Sequence, residues 1–134
     1  MNIALGGNLY QDIGTQYSGS LEHRMRGESR AHRVFVQKES LMEELLGGEP
    51  FWMNSRHHQA LKDLGKGVQI TGLAEDGIAE LCEVKGYRLI IGAQAHPEEI
   101  CSEVPACASL FSALINESSK TNVSKAAYQL ADID

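Results

Sequence analysis

Two apolar runs, Val68 to Ala74 and Ile78 to Val84, are separated by nothing but Glu75-Asp76-Gly77. That trio is strong turn chemistry, so the spacing predicts a β-hairpin in the middle of the chain and commits the fold to a sheet. Neighbouring segments supply further strands. Arg33-Val34-Phe35-Val36-Gln37 reads as a short strand, Phe51-Trp52-Met53 leads into the polar run Asn54 to Gln59, and Tyr87 to Gln94 holds the continuous apolar stretch Leu89-Ile90-Ile91. A continuous stretch of that kind is expected in a strand covered on both faces.

Helical signals surround these strands. Leu41 to Leu46 is expected to make a helical turn stopping at Gly47-Gly48, and the opening apolar piece is expected to stop at Gly6-Gly7. Pro105 suits a first helical turn, and Leu110, Phe111, Leu114 and Ile115 recur at helical spacing as a core-facing stripe. A last helix is expected from Thr121-Asn122, with Val123, Ala126, Ala127 and Leu130 on one face, inside a helical tail over about 118–134. Gln16 to Arg30 forms a polar loop longer than usual, and His23 and His32 are expected to face solvent from it. Strands followed by packing helices give an α/β class, and 134 residues suit one domain.

The composition, 43% hydrophobic and 22% charged, is that of an ordinary globular protein. No run approaches the ~18 apolar residues of a membrane span. The opening residues lack the basic region of a signal peptide. A net charge of −6 argues against a nucleic-acid partner, which would need clustered Lys and Arg. The densest basic stretch, His23 to Arg33, is punctuated by Glu22 and Glu28 and offers a local cationic patch. Cys82, Cys101 and Cys107 form no Cys-x-x-Cys pair, which argues against a disulfide framework or a structural zinc site and fits a reduced, cytoplasmic compartment. His57 and His58 are adjacent, and adjacent residues of an extended segment point to opposite faces, so no metal is expected there. No cofactor is expected either.

The sharpest chemical feature is Gly92-Ala93-Gln94-Ala95-His96-Pro97-Glu98, at the exit of the last strand. Pro97 pushes His96 into the extended region, where residues two apart share a side, so Glu98 is expected beside the His96 imidazole. A carboxylate accepting from one ring nitrogen leaves the other as a base, which is two-thirds of a nucleophile–His–acid triad.

Three further segments precede it in order: Leu5-Gly6-Gly7-Asn8-Leu9-Tyr10-Gln11-Asp12-Ile13, Asn54-Ser55-Arg56-His57-His58-Gln59-Ala60-Leu61-Lys62, and Ala74-Glu75-Asp76-Gly77-Ile78-Ala79-Glu80. From residue 1 to about 115 the chain resembles the γ-glutamyl-γ-aminobutyrate hydrolase family of the class I glutamine amidotransferase superfamily. The resemblance implies the C-terminal portion of a doubly wound, flavodoxin-like α/β domain with a mixed sheet and a β-hairpin. It also implies a Cys–His–Glu triad that hydrolyses a γ-glutamyl amide through a thioester. His96 matches the family's base, Glu98 the acid that orients it, and Asn54, Ser55, His57 and His58 the segment beside the substrate pocket.

Two departures shape the expectation. The family's nucleophile sits in a Gly-x-Cys-x-Gly elbow ahead of the paired glycines, which places it upstream of Met1. None of the three cysteines matches it, and a bystander thiol is the expectation for Cys101. Ala95 stands where the family usually has Trp, so Phe51 or Trp52 is expected to fill the space unless the site has relaxed. The chain is therefore expected to be inactive alone and to self-associate or be completed by an N-terminal chain, with a γ-glutamyl small molecule as its substrate. The alternative is a non-catalytic relic, or an interaction or small-molecule-binding module of the same fold.

Overall fold

The computed structural model describes residues 1–120 of the 134, so the helix expected from Thr121 lies outside the described residues. Ile3–Leu5 make a single 3₁₀ turn that ends as expected at Gly6, whose φ of 88° is open to glycine at no steric cost. Strand β1 (Leu9–Tyr10) and helix α1 (Ile13–Gln16) follow, the helix capped by the Asp12 carboxylate, which accepts from Thr15 N–H at 2.9 Å. The long polar loop is tied down rather than free: β2 (Arg24–Met25) lies within it, followed by β3 (His32–Val36). Helix α2 (Leu41–Leu46) opens at Ser40, whose Oγ accepts from Glu43 N–H, and closes at Gly47, as its glycine pair predicts.

The short strands β4 (Phe51–Met53), β5 (Ser55–Arg56) and β6 (Ala60–Leu61) come next. The expected hairpin is present as β7 (Val68–Ala74) and β8 (Ala79–Val84), with Gly77 at a φ of 88° in the turn. Strand β9 (Ile91–Ala93), helix α3 (Pro97–Ile100), a 3₁₀ turn at Pro105–Cys107 and helix α4 (Ala108–Lys120) complete the described chain. Five strands form one sheet in the order β4-β3-β7-β8-β9, each neighbouring pair antiparallel. Two small ladders, β1 with β6 and β2 with β5, fasten the N-terminal third to the segment after β4.

The sheet is covered on two sides. Val34, Met42, Leu46, Met53, Leu81, Ala95, Ile100, Cys107 and Leu110 form the main core, joining β3, β4 and β8 to α2, α3 and α4. On the opposite face of β8, Cys82 and Val84 pack with Val68 against Leu5 and Leu61. The strand buried on both faces is thus β8, whose residues Ala79 to Cys82 are all buried. This corrects the expectation for Leu89-Ile90-Ile91: β9 is an edge strand, and Ile90 is 36% exposed. Continuous apolarity did not decide burial; position in the sheet did.

The α4 stripe needs a similar correction. Leu110 is buried, but Phe111 is 38%, Leu114 58% and Ile115 68% exposed, because α4 packs on α2 and the Pro105 turn rather than lying along the sheet. Ala95 sits in the main core with Phe51 packed partly buried against it, while Trp52 is 40% exposed on the outer side.

Gly72 marks the tightest approach within the hairpin. A Cβ there would stand 2.6 Å from Leu81 Cδ1 and 2.9 Å from its Cβ, at an irregularity in the β7–β8 register. Leu81 is 1% exposed and has no room to retreat. Gly72→Ala is therefore expected to cost about 1–3 kcal/mol as an overpacking change, read as a lower urea midpoint at unchanged slope.

Candidate functional site

Strand β9 delivers His96 to the surface, and Pro97 immediately starts α3, so His96 is the residue that caps the helix, at φ −106° and ψ 77°. Glu98 lies in the first helical turn rather than two residues along an extended strand, which corrects the geometry expected from the sequence. The contact itself forms: Glu98 Oε1 stands 2.8 Å from His96 Nδ1. Both side chains are about half exposed, 48% and 55%. The hydrogen bond from His96, aided by Glu98's own backbone N–H, holds the Glu98 carboxyl below its ordinary range. With Nδ1–H given to the carboxylate, Nε2 carries a lone pair directed away from the pair and can accept a proton.

Asn54 fixes this imidazole from behind. Its Oδ1 accepts from His96 N–H at 2.9 Å and its Nδ2 donates to His96 C=O at 3.0 Å, a two-pronged grip from a side chain that is 1% exposed. Asn54→Ala strands both backbone groups, and a cost of about 2–3 kcal/mol is expected in chemical denaturation, with Asn54→Asp only partly restoring the grip.

The other residues expected beside a substrate pocket divide. Ser55 is fully buried, its hydroxyl donating to His23 C=O at 2.9 Å. His57 is buried too, with Nδ1 2.9 Å from Gln59 C=O. Only His58 is exposed, and with Arg24, Arg26 and Arg56 it lines a cationic cleft of about 510 Å³. The β2–β5 ladder sets Arg24 opposite Arg56, and Arg56 is joined to Glu99 of α3 by two contacts of 2.7 and 2.6 Å. The cleft therefore abuts the helix that carries Glu98, and of the basic stretch His23 to Arg33 it takes Arg24 and Arg26.

A second constellation escaped the sequence. His23 and His32, expected in solvent, are 3% and 1% exposed. With His57 they surround Glu80 of β8: His23 Nδ1, His32 Nε2 and His57 Nε2 each stand 3.3 Å from Glu80 Oε1. His23 Nε2 faces Asp76 Oδ2 at 3.0 Å, and the same carboxylate accepts from Leu21 and Ile78 N–H at the hairpin turn. Burial alone would raise the Glu80 carboxyl, but the three imidazoles facing it more than reverse that, and it lies far below its ordinary range. For His23, burial lowers the imidazole, but Glu80 and Asp76 together leave it raised. His23, His32, His57 and Glu80, all buried, are among the described residues a group of ligand-type side chains that could hold a metal ion. Nothing local announces them, because they come from four separate segments between His23 and Glu80.

Each cysteine is buried or engaged. The Cys101 thiol donates to Pro97 C=O at 3.0 Å. Burial pushes the Cys82 thiol up and the Cys107 thiol to about 11. No helix among the described residues is long and apolar enough to cross a membrane.

Comparison with known proteins follows the same line. The sequence pattern of the family described as Peptidase C26 matches residues 1–98. A Schizosaccharomyces pombe protein named "Putative glutamine amidotransferase PB2B2.05" is 36% identical over 121 residues, 88% of this chain and 46% of that protein. Protein NtpR of Enterococcus hirae is 34% identical over 122 residues, 87% of this chain and 50% of its own length. Among solved structures, a glutamine amido transferase from Methylobacillus flagellatus superposes with a TM-score of 0.52 at 20% identity, over 78% of this chain and 39% of that one. The chain thus spans about half the length of the curated relatives it matches, and its α/β fold is glutamine amidotransferase-like. By that match over residues 1–98, on the segments that build the His96–Glu98 pair and its Asn54 support, the chain belongs to the Peptidase C26 family.

Proposed function

We propose that this chain supplies the base and orienting acid of a γ-glutamyl amide hydrolase, of the γ-glutamyl-γ-aminobutyrate hydrolase type. The observation that carries the reading is the 2.8 Å His96–Glu98 contact, held in place by Asn54's double grip on the His96 backbone. His96 Nε2 takes the proton of a cysteine thiol, and the thiolate attacks the γ-carbonyl carbon of the substrate. The tetrahedral adduct expels the amine, which leaves with the proton His96 returns, and a thioester remains. Water, deprotonated by the same nitrogen, then releases glutamate and restores the thiol.

The nucleophile in this reading comes from outside the chain. Cys82 and Cys107 are buried with raised thiols, and Cys101 is engaged with Pro97 C=O. A completing chain has an accessible place to meet the base, since β9, which leads into His96, is an edge strand. The cleft of Arg24, Arg26, Arg56 and His58 suits the substrate's α-carboxylate. Arg26→Ala is accordingly expected to raise KM roughly tenfold with kcat nearly unchanged, the mark of lost ground-state binding.

The experiment is reconstitution. The purified chain is mixed with the segment of a family relative that carries the Gly-x-Cys-x-Gly elbow, and release of amine from a γ-glutamyl amide is followed. No turnover is expected from either part alone, and measurable turnover from the mixture. A mixture that binds but never turns over would favour the non-catalytic module, and turnover by the lone chain would overturn the external nucleophile.

A further inference from the structure

We propose that His23, His32, His57 and Glu80 form a buried, closed site for a divalent transition-metal ion of the zinc class, which staples the long N-terminal loop to the sheet. This site is separate from the His96–Glu98 pair and rests on none of the hydrolase reading.

The argument starts from proton accounting. His57 Nδ1 faces the carbonyl of Gln59 at 2.9 Å, and a carbonyl only accepts, so that nitrogen carries the proton and Nε2 presents a lone pair. That lone pair faces Glu80 Oε1 at 3.3 Å. His23 differs: its Nε2–H is directed to the Asp76 carboxylate at 3.0 Å, and its Nδ1 faces Glu80 Oε1 at 3.3 Å and the Ser55 hydroxyl oxygen at 3.2 Å. The Ser55 proton is already given to His23 C=O, so Nδ1 donates to Ser55, and that proton is the one an incoming ion displaces. His32 has no hydrogen-bond partner at either ring nitrogen, and neither oxygen of Glu80 has one. Buried lone pairs aimed at a carboxylate repel unless something positive lies between them.

At His32 and His57, protons shared with Glu80 are a poor candidate for that positive charge. The approaches of His32 and His57 to Glu80 lack the alignment of a hydrogen bond. The three equal separations of 3.3 Å match instead the edge of a tetrahedron whose centre lies about 2.0–2.1 Å from each ligand, the zinc–imidazole distance. All four ligand atoms fall within 4.8 Å of one another, so an ion draws the widest-spaced nitrogens inward. Three imidazoles and one carboxylate suit zinc and its first-row neighbours rather than magnesium or calcium. The outer contacts fit as well: a carboxylate behind His23 and a backbone carbonyl behind His57 are the partners that orient metal-bound imidazoles. Four protein ligands with all side chains buried leave no open position, which is the mark of a structural ion.

The test uses the full chain, produced in zinc-supplemented medium, dialysed, and assayed for bound metal by mass spectrometry. One equivalent of zinc is expected. Stripping with a chelator is expected to lower the thermal midpoint by about 10 °C relative to protein in hundredfold excess zinc over Kd, with recovery on readdition. Cobalt is expected to bind in competition with zinc and give the intense visible bands of a tetrahedral site. Glu80→Gln and His32→Gln are each expected to weaken zinc by roughly 100-fold or more, Asp76→Asn by 10–100-fold, and His96→Ala not at all. Should the ligand variants fail to fold, the chelator and cobalt measurements on the unaltered chain still decide. A folded chain that holds less than about a tenth of an equivalent after zinc dialysis, with no shift in midpoint, overturns the site. So does wild-type zinc affinity in folded Glu80→Gln, or loss of the ion in His96→Ala, since either places the ion elsewhere.

Discussion

In the reconstituted hydrolase, His96→Ala is expected to lower kcat by about 10²- to 10⁴-fold, the usual contribution of a positioned general base, with KM little changed. The reason lies in what the side chain touches. It is half exposed and packs into no core, so its loss removes a proton acceptor without creating a cavity, and the folded chain should melt as before. Glu98→Gln should give a smaller loss. An amide in place of the carboxylate either offers its oxygen to Nδ1–H more weakly or turns its NH₂ toward the ring and favours the wrong tautomer. Asn54→Ala should lower both stability and kcat, because it frees the backbone that aims the imidazole, while Asn54 itself is walled off from any substrate. The three variants thus separate a group that moves protons, one that orients it, and one that positions it from below. Full turnover by folded His96→Ala in the mixture would sink the assignment.

How much of this was legible in the sequence depended on how local each cause was. The β7–β8 hairpin was readable because Asp76 and Gly77 determine the turn within three residues, and the stops at Gly6 and Gly47 were readable for the same reason. The His96–Glu98 contact was anticipated, although by a strand argument where the actual device is Pro97 opening a helix. Burial was less legible. Leu89-Ile90-Ile91 looks like an interior strand and lies at an edge, whereas β8, interrupted by Glu80 and Glu83, is the strand covered on both faces. The difference is sheet order, which no single segment encodes. On α4 the helical spacing was right, but the helix leans on α2, and Leu114 and Ile115 meet no buried surface among the described residues.

The histidine cluster was the least legible. Asp76 read as a turn residue and His23 as a loop residue, yet they face each other at 3.0 Å across 53 positions. The residue beside Asp76 in the hairpin, Gly77, carries a φ of 88°, and the aspartate's own Ile78 N–H bond makes the turn rigid enough to hold a buried imidazole. A turn chosen for local reasons therefore doubles as the anchor for a loop that would otherwise have few apolar contacts to hold it. The same economy places Ser55 and His57 in the cluster and Asn54 under His96, so one four-residue segment, Asn54 to His57, joins the buried cluster to the exposed pair.

The largest effect on stability is expected from Glu80→Ala, about 3–5 kcal/mol, because it removes one partner from a fully buried charged group and leaves the rest behind. Glu80 is 1% exposed and stands against three imidazoles that water cannot reach. Without the carboxylate, the positive charge those rings share keeps, among the described residues, only Asp76 at the far side of His23 as a buried counterion. The cavity adds to the cost, since β8 is held on both sides and cannot collapse into the space. Glu80→Gln keeps the volume and one oxygen and should cost less. The damage should also be localised: His23 belongs to a loop whose other ties are hydrogen bonds, among them the two-residue β2–β5 ladder, the Leu21 and Tyr17 bonds to Asp76, the Ser55 and His57 bonds to His23 C=O, and the Ser29–Glu103 and Ala31–Met53 bonds at its end. Amide hydrogen exchange over residues 17–31 should accelerate before global unfolding does, while β7 and the helix-side core around Met42 and Met53 keep their protection until the whole domain opens. A Glu80→Ala chain within about 1 kcal/mol of the parent, with loop exchange unchanged, would mean that this carboxylate does not hold the loop to the sheet.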